Sequence, residues 1–232
     1  MKTIGILGGM SWVSSLHYYK WLNELAQDRL GPINNSKILL SSVDWQKIQT
    51  HQKNGEWDAA GDYLADEARK LESIGAELML IGTNTMHKVA DRVQAAINIP
   101  LLHIADATAT RIKTKGLDSI ALLGTSYTME QDFYKGRLEN QGITVLTPKR
   151  QEDRNRINAI IFDELCQNVQ KPKSKAEYIR IANDMFDHGA QGLIMGCTEI
   201  TTLIGPGDFT QPVFDTTRIH VEEAFEMALE EE

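Results

Sequence analysis

The chain has 232 residues, enough for one large domain or two of about 110, and either size buries a serviceable core. Its net charge is −8 and no run of Lys or Arg interrupts the acidic balance, which argues against a nucleic-acid or anionic-membrane surface. The two cysteines, Cys166 and Cys197, are too few for a disulfide scaffold and lack metal-ligand spacing.

Short apolar runs alternate with amphipathic patterns, the signature of parallel sheets wrapped by helices. A strand over residues 3–7 ends in Gly8-Gly9-Met10-Ser11 and leads into a helix over 14–29. A strand over 37–43 ends in Ser42-Val-Asp44. Ala60, Leu64, Ala68, Leu71 and Ile74 then mark one helix face, stopped by Gly75. The strand over 78–81 runs into Thr83-Asn84-Thr85, followed by a helix over 86–97 and a strand over 101–104. Beyond these the pattern predicts strands over 119–123, 143–146, 193–195 and 213–214, with helices over 128–140, 154–167, 175–188 and 216–229. The acidic tail Glu230-Glu-Glu232 is expected to be frayed and solvated. The apolar run at the N-terminus is too short for a signal peptide. No stretch approaches the ~18 apolar residues that span a bilayer, so a cytoplasmic protein is expected.

Two segments nearly repeat. Gly75-Ala-Glu-Leu-Met-Leu-Ile-Gly-Thr83-Asn-Thr85 aligns with Gly189-Ala-Gln-Gly-Leu-Ile-Met-Gly-Cys197-Thr-Glu199, placing Thr83 opposite Cys197. Ile4-Gly-Ile-Leu-Gly8 matches Ile120-Ala-Leu-Leu-Gly124, and Pro100-Leu-Leu-His-Ile104 matches Pro212-Val-Phe-Asp-Thr216 more weakly. The three offsets are 116, 114 and 112 in the same order, which indicates an internal duplication. The expected architecture is therefore α/β with two pseudosymmetric domains. Each would be a mainly parallel four-stranded sheet flanked by helices, with the active site in the cleft between them. The N-terminal domain is expected over 1–98 plus 215–232, the last helix packing back, and the C-terminal domain over 99–214.

Ligands of open α/β sheets bind beyond the carboxyl ends of the strands. That rule nominates Met10, Ser11, Asp44, Thr83, Asn84, Thr85, Thr125, Cys197, Thr198 and Glu199. Cys197 sits where a strand should give way to a helix, whose amides would favour a thiolate, although a lone cysteine is as readily a core residue. Thr83-Asn84-Thr85 fits a carboxylate-binding nest or simple capping. Cys166 follows Leu165 on a helical pattern with Ile157, Ile160 and Ile161 and reads as a space-filler. His87 and His103 fall near strand ends, where they could position a substrate or a proton. There is no G-x-G-x-x-G fingerprint and no P-loop, so a nucleotide cofactor is not expected.

These residues together resemble the aspartate/glutamate racemase family, whose members are cofactor-independent. The similarity runs through almost the whole chain. It is carried by Ile6-Leu-Gly-Gly-Met-Ser-Trp12, Ser42-Val-Asp44, Thr83-Asn-Thr-Met-His-Lys88, His103-Ile-Ala-Asp106, Leu123-Gly-Thr125, Tyr127-Thr-Met129, Gly196-Cys-Thr-Glu-Ile200 and Pro212-Val-Phe-Asp215. The resemblance implies a two-base exchange of the Cα proton of L-aspartate or L-glutamate, with Cys197 working on the L face and Thr83 on the other. Most of the family has a cysteine where this chain has Thr83. By analogy, substrate contacts come from Met10, Ser11, Gln52, Asn84, Thr85, Thr125, Thr128, Thr198 and Glu199. Lys47, Lys53 or Lys88 is nominated for the distal carboxylate. A homodimer with no cofactor and no metal is the family expectation. Alternatives are another enzyme of the superfamily, such as an arylmalonate-type decarboxylase, a maleate isomerase or a hydantoin racemase, or a non-catalytic amino-acid-binding protein.

Overall fold

The computed structural model describes residues 1–230, so the last two residues of the acidic tail lie outside the described residues. The chain divides into two compact units. One comprises Met1–Ile104 with the segment from His220 onward, the other Ala105–Ile219.

The first unit contains β1 (Ile4–Gly8), α1 (Trp12–Leu30), β2 (Ile38–Ser42), α2 (Trp45–Asn54), α3 (Trp57–Ser73), β3 (Leu78–Ile81) and the short α4 (Ala90–Gln94). Its strands form a parallel sheet in the order β2-β1-β3. Because side chains alternate across a strand, β3 feeds two cores. Met79 and Ile81 pack with Leu7 and with Ala60, Leu64, Ala68 and Leu71 of α3. Leu78 and Leu80 pack with Ile4, Ile6 and α1 residues Tyr18, Leu22 and Ala26. The sheet is covered on both faces, which is why β1 and β3 are apolar and wholly buried along their length.

The second unit begins in α5 (Ile104–Thr114) and continues through β4 (Ser119–Gly124), α6 (Ser126–Glu130), α7 (Asp132–Glu139), β5 (Thr144–Leu146), α8 (Gln151–Asp163), α9 (Pro172–Asp187), β6 (Leu193–Gly196) and β7 (Val213–Asp215). Its parallel sheet has the order β5-β4-β6-β7. The last helix, α10 (Thr216–Leu229), starts there. It then supplies Val221, Ala224, Phe225 and Ala228 to the core formed by Ile4, Ile6, Leu78 and Leu80.

Strand register supports the duplication independently of residue identity. Gly5 pairs with Met79, and their repeat counterparts Ala121 and Leu193 pair with each other. The pairs Ile6 with Leu80 and Leu7 with Ile81 recur as Leu122 with Ile194 and Leu123 with Met195. Met79 also forms an isolated parallel bridge to Leu101, the counterpart of the Leu193 to Val213 pair that opens β7.

That bridge corrects an expectation of the sequence. Residues 101–104 do not make a fourth strand, because helix α5 starts at Ile104 and leaves one ladder pair where the other unit has three. The first sheet therefore has three strands and the second four. The helix expected over 86–97 is a 3-10 turn, Thr85–Val89, followed by α4. The helix expected over 154–167 ends at Asp163, and Cys166 lies in a separate 3-10 turn, Leu165–Gln167. Helices α2 and α5 were not anticipated. Helix α2 buries a single residue, Ile48, and so has little apolar stripe to read; its Asp44 cap accepts from Gln46 N–H and Gly55 closes it in the left-handed region.

Candidate active site

In the first unit β1 ends in a tight turn. Gly9 adopts φ +86°, and a Cβ there would lie 2.5 Å from the Val43 carbonyl oxygen, so only glycine fits. Ser11 caps α1 through Ser14 N–H, and Ser15 Oγ accepts from Gly9 N–H at 2.8 Å while donating to the Ser11 carbonyl at 3.1 Å. Met10 and Ser11 are buried against this turn. Ser14 Oγ donates to the Gly82 carbonyl at 2.8 Å, tying α1 to the end of β3.

From Leu78 to His87 every residue is buried except Thr83. Asn84 and Thr85 follow it as buried polar residues at the start of the 3-10 turn. Gln52 reaches the same turn from α2, its amide donating to Met86 Sδ at 3.0 Å. Behind Thr83 stands His87, with Nδ1 2.8 Å from the Thr83 carbonyl and Nε2 3.2 Å from Ile104 N–H. A carbonyl can only accept and an amide N–H only donate, so the proton resides on Nδ1 of a neutral ring. His87 stacks edge-on with His103 and His220. His220 accepts from the Tyr18 hydroxyl at Nδ1 and donates to the Leu102 carbonyl through Nε2. Burial pushes the His220 pKa down to about 4. Sequence reading placed His87 near a strand end but did not pair it with the Thr83 carbonyl, although its i,i+4 offset from Thr83 is visible. It also missed the Tyr18–His220 pair, which joins residues far apart in the chain.

The second unit repeats the plan. From Gly192 to Ile200 every residue is buried except Cys197, which is extended and half-exposed at the end of β6. Thr125 caps α6 through Thr128 N–H, and the two hydroxyls lie 3.2 Å apart. Thr128 is fully buried, its side chain packed beside the Gly124 and Gly196 backbones. Thr198 Oγ1 lies 3.1 Å from Thr217 Oγ1, and Asp215 accepts from the N–H groups of Thr217 and Arg218 at the start of α10.

Cys197 differs from expectation in its electrostatics. The element that follows it is a five-residue 3-10 turn, Thr198–Thr202, without a side-chain cap. The thiol instead donates to Glu199 Oε2 at 2.9 Å. Desolvation first, then the charges of Glu199 and Cys166, push its pKa well above that of an ordinary thiol, the opposite of the expected helix-terminus effect. The Glu199 carboxylate, nominated as a substrate contact, is on the thiol. Cys166 packs against the same apolar cluster as Cys197, and desolvation with the Glu199 charge takes its pKa up to about 12. The nominated lysines lie in the first unit. Lys47 sits 3.9 Å over the Tyr63 ring, Lys88 3.9 Å over Trp57, and Lys53 is exposed in the last turn of α2.

Residues 7–224 match the Asp/Glu/Hydantoin racemase family. The chain belongs to that family. It is similar to a Yersinia pestis protein classed among Asp/Glu racemases, at 48% identity and TM-score 0.94, covering 99% of this chain and 100% of that one. It is also similar to an aspartate racemase homologue from Pyrococcus horikoshii OT3, at 35% identity and TM-score 0.87, again covering 99% of this chain and 100% of the other. The broad specificity amino-acid racemase RacX of Bacillus subtilis strain 168 is 22% identical over 92% of both chains. Members of the Asp/Glu/Hydantoin racemase family with these descriptions act on amino acids as isomerases, and the two parallel α/β sheets of this chain are the family fold. Among the described residues no helix is long and apolar enough to cross a membrane.

Proposed function

We propose that the protein racemises L-aspartate, L-glutamate or both without a cofactor, by proton transfer at Cα. Cys197 is the base on the L face and Thr83 serves the opposite face. The observation that carries this reading is the repeated strand end. In each unit one half-buried residue interrupts a fully buried run at the same register, and the two residues are a cysteine and a threonine.

Removing a proton beside a carboxylate leaves a carbanion that needs hydrogen bonds to the carboxylate oxygens and exclusion of water. Asn84, Thr85, Thr125 and Thr198 are the polar groups bordering the two strand ends and are assigned that role, with Met10, Ser11 and Gln52 around the first of them. The Cα–H pair stays on carbon as the Cys197 sulfur takes the proton. Thr83 then hands its hydroxyl proton to the other face and regains one from water. A hydroxyl is much harder to ionise than a thiol, so the D direction is slow. The equilibrium constant between enantiomers is unity, and kcat/KM must be equal in the two directions. A low kcat for the D-isomer therefore comes with a low KM. The same reading takes the protein to be a cytoplasmic homodimer.

The test is NMR of L-aspartate and L-glutamate in D2O with the enzyme. Loss of the Cα proton signal with formation of the D-isomer is expected. Tight binding without exchange would instead assign an amino-acid-binding protein, and release of CO2 from an arylmalonate would assign a decarboxylase.

A further inference from the structure

Resting on Thr83 as the residue that serves the second face, the turn behind it gains a role. Thr83 follows β3, and its N–H folds back onto the Ile81 carbonyl at 2.9 Å. In an α-helical turn the Thr83 carbonyl would take the amide four residues on, that of His87. The turn Thr85–Val89 is instead a 3-10 turn, and His87 N–H goes to the Asn84 carbonyl at 3.1 Å. The Thr83 carbonyl, passed over by that amide, receives the side chain of the same residue, with Nδ1 2.8 Å away. A main-chain carbonyl so placed needs a donor, and the imidazole supplies it. The second unit closes its turn differently. The Cys197 carbonyl receives a backbone amide, that of Ile200 at 3.1 Å. Thr201, which the repeat offset of 114 aligns with His87, turns its hydroxyl to the Thr198 carbonyl at 2.7 Å. The imidazole on the strand-end carbonyl thus belongs to the unit whose half-buried residue is a threonine.

His87 is built to hold a position. Its ring is 2% exposed, and Ile104 N–H donates to Nε2 at 3.2 Å, so both nitrogens are tied to main chain. The rings of His103 and His220 pack edge-on against it, with centroids 4.5 and 5.6 Å away. We infer that His87 is a positioning residue for the second face: by holding the Thr83 carbonyl it fixes where the Thr83 hydroxyl stands relative to Cα. The ring keeps its Nδ1 proton throughout. The hydroxyl proton passes from Thr83 to carbon and is replaced from water, with no step through His87. A hydroxyl gives up its proton far less readily than a thiol, so this step tolerates little misplacement, and a shift of about 1 Å can cost about 10²-fold in rate.

Two substitutions separate the two arms of the ring. His87→Asn puts an amide near the place of Nδ1 and keeps a donor for the Thr83 carbonyl. His87→Gln puts its amide near the place of Nε2, keeping an acceptor for Ile104 N–H and giving up the bond to Thr83. Each is incubated with L-aspartate and with L-glutamate in D2O under initial-rate conditions. Chiral chromatography counts the D-isomer formed, and NMR the deuterium gained at Cα by the L-isomer that remains. The ratio of the two does not depend on how much of the protein is folded. In His87→Gln it should fall by about 10²-fold, because exchange on the L face needs only Cys197 and stays close to wild type. His87→Asn should recover most of the wild-type ratio. An unchanged ratio in His87→Gln would overturn the proposal, and so would equal loss of both processes, which would make His87 a support of the fold alone. A ratio as low in His87→Asn as in His87→Gln would also overturn it. Thr83→Ala checks the underlying reading separately: exchange without D-isomer is expected, and D-isomer at the wild-type ratio would remove Thr83 from the reaction whatever the His87 variants show.

Discussion

At the scale of single residues, the two thiols share an apolar cluster but have different geometries. Cys197 is the half-exposed residue that ends β6, whereas Cys166 sits in the turn beneath α8. Cys197→Ala should lower Cα exchange by about 10²–10⁴-fold. Cys166→Ala should keep most of the activity, and comparable losses in both would remove the distinction. Both thiols have raised pKa values, so neither should label rapidly with iodoacetamide at neutral pH in the wild-type protein. The Thr83 position gives the complementary expectation. Thr83→Cys places an ionisable thiol at the corresponding strand end of the first unit, and kcat for the D-isomer should rise, with kcat/KM changing by the same factor for both enantiomers. If D-isomer kcat stays unchanged while L-isomer exchange persists, another group supplies that face.

At the scale of elements, the strand ends were readable because a buried parallel strand must be a continuous apolar run, and its end is marked by the first small polar residue. Where an element lacks such a pattern, its boundaries were lost. Helix α2 buries only Ile48, and the segment from Thr85 to Gln94 changes from 3-10 to α geometry in mid-course, which apolar spacing does not encode. The return of α10 to the first unit's core rests on Val221, Ala224, Phe225 and Ala228, all fully buried. Phe225→Ala should therefore destabilise by roughly 3–5 kcal/mol, as large cavities in packed cores do. Urea unfolding of this variant measures it, and a loss below about 1 kcal/mol would mean that the helix contributes little to the core.

At the scale of the whole molecule, the buried Tyr18–His220 pair makes stability depend on pH. The His220 pKa falls from 6.5 in the unfolded chain to about 4 in the fold, because desolvation disfavours its charged form. Its contribution is fully present above pH 6.5, where the ring is neutral in both states, and is lost as pH falls from there towards 4, where the unfolded chain binds the proton first. The difference amounts to about 3 kcal/mol. In His220→Gln the urea midpoint should fall less steeply over this window than in the wild type, and parallel slopes would show that the ring does not carry the dependence.

The sequence alone determined the parallel α/β class, the duplication and the Cys197–Thr83 asymmetry. Each is a local pattern, a buried run with a marked end, and needs no partner to be recognised. The tertiary structure decided what surrounds those ends. The sequence nominated Glu199 as a ligand for substrate, while the fold turned its carboxylate onto the Cys197 thiol. It expected helix amides to ease ionisation, while a short 3-10 turn, the carboxylate and the burial of both thiols raised the barrier to it. The tautomer of His87 follows from the Thr83 carbonyl on one side and Ile104 N–H on the other. Protonation states depend on which groups the chain brings together and how much water it removes from them, and neither is written in the spacing of residues.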